Sequence, residues 1–284
     1  MSRLAIALIW LLHFLPVRVI ARVGDAIGWA LFWLIPERRH VTRINLEKCF
    51  PQKSRTERER IARAHFRAIC RAFAQHGIFW WSSPSRIRKT VTVEGLEHVP
   101  ANSRVVIFAP HFMGQEGGVM RMVVDVRMAS MYSRQKDPVF DARLFAGRTR
   151  FGGELFPRQA GLRPVVKQIK AGTPFFIMPD LDHGAKGAVF VPFFGVPAAA
   201  TTGLSFLARV SKAVIVPFVC RMLPDGRYLA KFYPAWRDFP SGDDVSDARR
   251  MMAFIEERIH EMPEQYLWMH KRFKTRPPGE PGFY

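Results

Sequence analysis

Cysteine is scarce in this chain. Its 284 residues include three, Cys49, Cys70 and Cys220, which are far apart, odd in number and in no C-x-x-C pair. This excludes a disulfide framework and predicts a reducing compartment, with each thiol acting as a small buried apolar group. Acidic residues are also few: 24 Asp and Glu stand against 43 Lys and Arg, for a net charge of +19. So basic a surface seeks an anionic partner, and composition leaves nucleic acid, an acidic protein and anionic lipid all open. Several signatures are missing. There is no G-x-S-x-G nucleophile elbow, the nearest string being GLSFL at 203–207, and no P-loop or G-x-G-x-x-G fingerprint. With no zinc pattern or RNA-binding aromatic motif either, no nucleic-acid partner is expected.

Apolar runs long enough for a confident spanning helix, about 18 residues, are absent as well. LAIALIWLLHFLPV (4–17) and AIGWALFWLI (26–35) both fall short, with Arg18, Arg22 and Asp25 between them. Arg3 precedes the first run, but no small-residue cleavage site follows, so a signal peptide is not expected. Residues 1–35 therefore read as a hydrophobic membrane-associated helical segment, with Trp10, Trp29 and Trp33 at the interface. The competing reading is an ordinary buried helix pair.

What is present suffices for a large core, since 48% of residues are hydrophobic and 13% aromatic. Residues 36–284 read as one domain. Ser54 and Glu57 form an S-x-x-E capping box. The helix it predicts carries Ile61, Phe66, Ile69 and Phe73 at helical spacing, interleaved with Arg58, Arg60, Arg63, Arg67 and Arg71. That arginine series reads either as a solvated face or as a basic face turned to a membrane. From residue 90 the pattern changes. Strands are predicted at 90–95, 105–109, 128–133, 175–179, 214–219 and 228–236, and helices at 116–126, 161–171, 201–212 and 246–262. Such alternation predicts an α/β fold with a mixed central sheet flanked by helices, its site beyond the carboxyl ends of the strands.

The segment APHFMGQEGG (109–118) puts His111 and Glu116 at the exit of the apolar run VVIF. On one helix a five-residue spacing separates side chains by about 140°. With His111 in the loop and Glu116 in the first helical turn, the two can converge. A carboxylate on one imidazole nitrogen fixes the tautomer and makes the other nitrogen a general base. The plainer alternative is a hydrogen-bonded loop histidine near a helix-capping glutamate. GRTRFGGELFPRQ (147–159) offers Arg148, Arg150 and Arg158, whose guanidinium forks suit phosphate or a structural role. MPDLDHG (178–184) ends another apolar strand with Asp180 and Asp182, a poor metal site because no further ligand is in evidence. VFVPFFGVPAAATTG (189–203) is apolar and proline-rich, lining a hydrophobic channel or simply core, with Thr201 and Thr202 capping a helix.

Taken in order, these strings resemble the glycerolipid-type acyltransferases. His111 and Glu116 match the His-x4-acid signature, GGELFPR the second block, MPDLDHG the third and VIVPFV the fourth. The wording is closer still to one branch, the late acyltransferases of lipid A biosynthesis (the lauroyl/myristoyl transferase family). INLEKCFP (44–51), PDLDHG, VFVPFFGVPAAATTG and PEQYLWMHKRFKTRPPGEP (263–281) carry that resemblance over nearly the whole chain. The third block departs from the general glycerolipid pattern of Glu-Gly-Thr-Arg, which leaves the aspartates' roles open. The resemblance implies an acyltransferase anchored at the cytoplasmic face of a Gram-negative inner membrane. Its donor would be an acyl thioester on the phosphopantetheine arm of acyl carrier protein, with no metal or other cofactor. Its acceptor would be a hydroxyacyl chain of a phosphorylated glucosamine lipid A precursor. His111 would be the base and Glu116 its orienter. Arg148, Arg150, Arg158, Asp180 and Asp182 would serve substrate binding. Rival readings are another glycolipid, glycerophosphate or amino-acid-lipid acceptor, and a non-enzymatic basic protein of the membrane surface.

Overall fold

Every predicted strand forms. In the computed structural model, which describes residues 2–101 and 103–284, the chain opens with six helices. They are α1 (Ser2–Leu12), α2 (Val17–Leu34), α3 (Pro36–Cys49), α4 (Arg55–Ala74), α5 (His76–Trp81) and α6 (Pro84–Thr90). The α/β part follows as β1 (Val91–Glu94), β2 (Val105–Phe108), α7 (Gln115–Val123), β3 (Ala129–Tyr132), α8 (Pro138–Thr149), β4 (Glu154–Pro157), α9 (Arg163–Lys170) and β5 (Phe175–Ile177). After these come β6 (Ala188–Phe193), β7 (Val196–Thr201), α10 (Gly203–Ser211), β8 (Val214–Met222), β9 (Tyr228–Phe232) and α11 (Asp244–Glu261).

Seven strands make one sheet in the order β1-β9-β8-β2-β5-β3-β4. All its pairings are parallel except β8 with β9, so the sheet is mixed as predicted. Along the central strand β2 all four residues are buried. Val106 and Phe108 join one apolar cluster, with α9, α10 and α11, and Val105 and Ile107 join the other, with α5 and α7. Helices thus cover both faces, which is why VVIF reads as an unbroken apolar run and not an alternating one. β6 and β7 form a separate antiparallel hairpin. It turns at Phe194 and Gly195 and lies against α11.

The capping box at Ser54 is formed in full. Helix α4 packs along α2 at unusually close range. A Cβ added at Gly28 would lie 2.5 Å from the Cα of Arg67, and one at Gly24 2.5 Å from that of Arg71. Asp25 of α2 ion-pairs with Arg71 at 2.7 Å. Ile20, Ala21 and Phe32 are buried, while Val19, Ile27, Trp29, Trp33 and Leu34 are exposed. Among the described residues, no single helix is long and apolar enough to cross a membrane. Val17–Leu34 and Pro36–Cys49 meet that criterion only as a pair bent by 93°.

Candidate active site

The site forms where β2 and β5 end side by side. Their parallel register pairs Phe108 with Ile177, and Ala109 N–H donates to the Ile177 carbonyl at 3.0 Å. His111 and Asp180 each lie three residues beyond that pair, so two loops leaving the sheet in the same direction bring them together. The His111 ring meets Asp180 through Nδ1, 2.6 Å from Oδ1, and the His111 backbone N–H donates to Oδ2 at 3.0 Å. The Asp180 side chain is fully buried, and that of His111 keeps 22% exposure. Burial opposes the Asp180 charge, but the charge of His111 and its two hydrogen bonds prevail and hold the carboxyl below the usual aspartate value.

The expected pairing of His111 with Glu116 is therefore corrected. Glu116 sits in the first turn of α7 and Arg148 in the last turn of α8, each at the helix end its charge favours. Arg148 Nη2 donates to Glu116 Oε2 at 2.6 Å, and Nε lies 3.0 and 3.2 Å from the two oxygens. Burial opposes the charge of each, and the partner's charge wins. Glu116 is held below its ordinary value and Arg148 above. The chain reaches α7 through Gly114, where a Cβ would fall 2.2 Å from the Cys220 carbonyl oxygen, so no larger residue fits there against β8.

His111 lines a cleft of about 390 Å³ with Arg148, Arg158 and His183, floored by apolar residues that include Leu144, Ile177 and Met178. A smaller apolar hole of about 60 Å³ lies behind the Glu116–Arg148 pair, walled by Val119, Val123 and Phe176 among others, and shares Met131 and Met178 with the cleft. Arg158 follows β4 and reaches within 3.5 Å of His183 Nδ1. It is the cleft arginine that forms no ion pair among the described residues.

The other predicted residues sit differently. Arg150 caps α8, donates to the Phe79 carbonyl at 3.3 Å and stacks on Phe151, away from the cleft lining. Asp182 is buried and accepts from Thr275 N and Oγ1 at 2.7 and 2.8 Å and from Gly184 N at 2.9 Å. Its carboxylate ties the carboxyl-terminal segment, through Thr275, to the loop after β5. Of the capping threonines, Thr202 occupies the N-cap of α10 without a side-chain bond, and Thr201 Oγ1 accepts from Gly203 N at 3.1 Å.

The sequence reading missed how the carboxyl-terminal segment supports the His111 loop. Leu267 N–H donates to the His111 carbonyl at 3.1 Å, and Met113 N–H to the Gln265 carbonyl at 2.8 Å. The Gln265 side chain spans both backbone groups of Met222. Asn45, from INLEKCFP, donates to the carbonyls of Trp268 and His270 at 2.7 and 2.8 Å. Two of the strings that carry the resemblance thus meet across the fold. His183, Ser130 and Tyr132 also line the cleft. Of these, His183 lies in a candidate site string, while Ser130 and Tyr132 lie in the strand predicted at 128–133, where nothing in the sequence marked them for the site.

Comparison with known proteins shows the family. The profile of a family described as bacterial lipid A biosynthesis acyltransferase matches residues 1–275. The lipid A biosynthesis lauroyltransferase of Escherichia coli is 34% identical over 99% of this chain and 94% of the relative. The palmitoleoyltransferase of the same organism is 34% identical over 98% and 92%. Its myristoyltransferase is 33% identical over 92% and 82%. The chain belongs to the bacterial lipid A biosynthesis acyltransferase family.

Proposed function

We propose that this enzyme transfers a fatty acyl chain from the thioester of acyl carrier protein to a hydroxyl of an acyl chain on a lipid A precursor. The observation that carries the reading is His111 at the mouth of an apolar cleft, its Nδ1 engaged by a carboxylate and its ring still accessible. The acceptor's hydroxyl oxygen attacks the thioester carbonyl carbon while His111 Nε2 takes the hydroxyl proton. The tetrahedral oxyanion faces the cleft's cations, of which Arg158 forms no ion pair among the described residues. As the C–S bond breaks, the imidazolium returns the proton to the leaving sulfur, so an ester and a thiol result. The energy lies in the thioester, and the step uses no metal. Arg158 also suits the acceptor's phosphate, and the net charge of +19 suits an acidic carrier protein. The test pairs purified protein with mixed acyl-carrier thioesters and a tetra-acylated precursor, read by mass spectrometry beside His111→Ala. One acyl mass gained by the acceptor, absent in the variant, is the expected result. Full transfer by a folded His111→Ala protein would refute His111 as the base.

The same reading places the chain on the cytoplasmic face of the inner membrane, held at its surface by α1 and α2. Arg18, Arg22, Trp29 and Trp33 fall within about 60° around α2, and all four are exposed. Leu4, Leu8, Trp10 and Leu11 are exposed on α1. The Arg63 guanidinium lies 5.5 Å from the Trp33 ring, beside a groove of about 600 Å³ that also carries Arg43, Arg55, Arg60 and Arg67. Aromatic rings with adjoining arginines suit the headgroup layer of an anionic bilayer. Flotation with phosphatidylglycerol and phosphatidylcholine vesicles tests this. Trp29→Ala/Trp33→Ala should weaken binding to the former, and undiminished flotation would remove α2 from the interface.

A further inference from the structure

We infer that the two carboxylates of the site divide its work: Asp180 is the positioning residue for His111, and Glu116 holds Arg148. The inference rests on the proton-transfer reading above and alters which acid supports it. The motif spacing favours Glu116, but both of its oxygens are committed to Arg148, with the closest contact at 2.6 Å. Turning Glu116 towards His111 would strip a largely buried guanidinium of its ion-pair partner, a costly exchange. Asp180 has no such conflict. Its two oxygens serve the ring and the backbone N–H of the same residue, His111. One carboxylate thereby fixes both where the loop lies and how the ring is turned. Its complete burial leaves it no alternative solvent-facing position.

This arrangement also selects a tautomer. A carboxylate at Nδ1 can only accept, so Nδ1 carries the hydrogen and Nε2 keeps the lone pair that takes the acceptor's proton. An Asn at 180 would keep the shape. Its amide would donate to Nδ1 and drive the hydrogen onto Nε2, where it blocks the base. Glu116 instead holds Arg148, which lines both the cleft and the apolar hole behind it. Its loss should disturb substrate binding more than the proton transfer.

The experiment compares Asp180→Asn and Glu116→Gln in the full-length protein by imidazole nitrogen NMR and by steady-state kinetics. The His111 resonances are assigned from the difference against His111→Gln. Asp180→Asn is expected to move the ring hydrogen from Nδ1 to Nε2 and to lower kcat on the order of 10³–10⁴-fold with KM little changed. Glu116→Gln is expected to leave the tautomer as it is, to keep kcat within about tenfold and to raise KM. The reverse pattern, with the tautomer lost in Glu116→Gln and kept in Asp180→Asn, overturns the inference. Should Asp180→Asn not fold, Glu116→Gln decides alone. An unmoved tautomer supports the assignment, and a moved one refutes it. The tautomer is read without turnover, so failure of the acyl-transfer reading would show separately, as no acyl mass gained by the acceptor with the parent protein.

Discussion

Replacing Asp182 by Ala should damage stability and spare substrate binding. Three donors converge on this buried carboxylate, Thr275 N at 2.7 Å, Thr275 Oγ1 at 2.8 Å and Gly184 N at 2.9 Å. Hydrogen bonds to a charged acceptor contribute about 1.5–3 kcal/mol each, and a donor stranded in the interior costs a similar amount. Thr275 and Gly184 are only partly buried, so water recovers some of that loss. The net expectation is roughly 3 kcal/mol. In a chain of this size each kcal/mol shifts the midpoint by about 2–4 °C, which gives a fall in Tm of roughly 6–12 °C. Asp182→Asn retains acceptor capacity and should lose less. The assay is thermal unfolding in detergent followed by steady-state kinetics well below the new midpoint, where the folded variant should bind acceptor with KM within about twofold of the parent. An unchanged Tm with a tenfold rise in acceptor KM would refute the reasoning and return Asp182 to the substrate.

Three further outcomes are expected. His65 is buried on α4 with Nδ1 3.1 Å from the Glu264 carbonyl, and burial lowers its pKa from 6.5 to about 4. A histidine depressed in this way costs nothing above its unfolded value and destabilises the fold as pH drops through the window from 6.5 towards 4. The loss should approach about 3 kcal/mol at the lower end, and denaturant titrations at pH 7 and pH 5 should show a drop that His65→Gln flattens. Cys49, Cys70 and Cys220 are all buried, and burial raises each thiol, Cys70 to about 11. A disulfide reagent should leave the native protein almost unlabelled and titrate all three after unfolding, so rapid native labelling would contradict the packing. Gly28→Val should push α2 from the backbone of α4 and destabilise the chain by about 1–3 kcal/mol, measured as a lower denaturation midpoint.

The legible parts of the fold are those where local pattern and tertiary demand coincide. VVIF and VIVPFV read as strands because buried parallel strands take apolar residues at every position. The capping box announced α4 because its hydrogen bonds lie within four residues. The omissions were short or ambiguous. β4 is four residues, Glu154–Pro157, at the sheet edge, and carries no alternation. α8 has a start signal, Asp137 capping Phe140 N with Pro138 in the first turn, but little apolar periodicity to extend it. VFVPFFGVPAAATTG reads as channel or core because both strands of the β6–β7 hairpin are apolar, and periodicity cannot divide such a run.

By itself the sequence determined the family, the alternation of strands and helices, and the placing of His111 at the exit of a buried strand. These depend on residue types within one short window, and so survive being read along a line. Only the tertiary structure decided which carboxylate meets that histidine. Asp180 is 69 positions away and reaches His111 because β2 and β5 pair in parallel with Phe108 opposite Ile177. Glu116, five positions away, turns instead to Arg148, because a helix turn carries it from the strand exit to the end of α8. Nearness along the chain is not nearness in space, and the register of two strands outweighed the spacing of a motif.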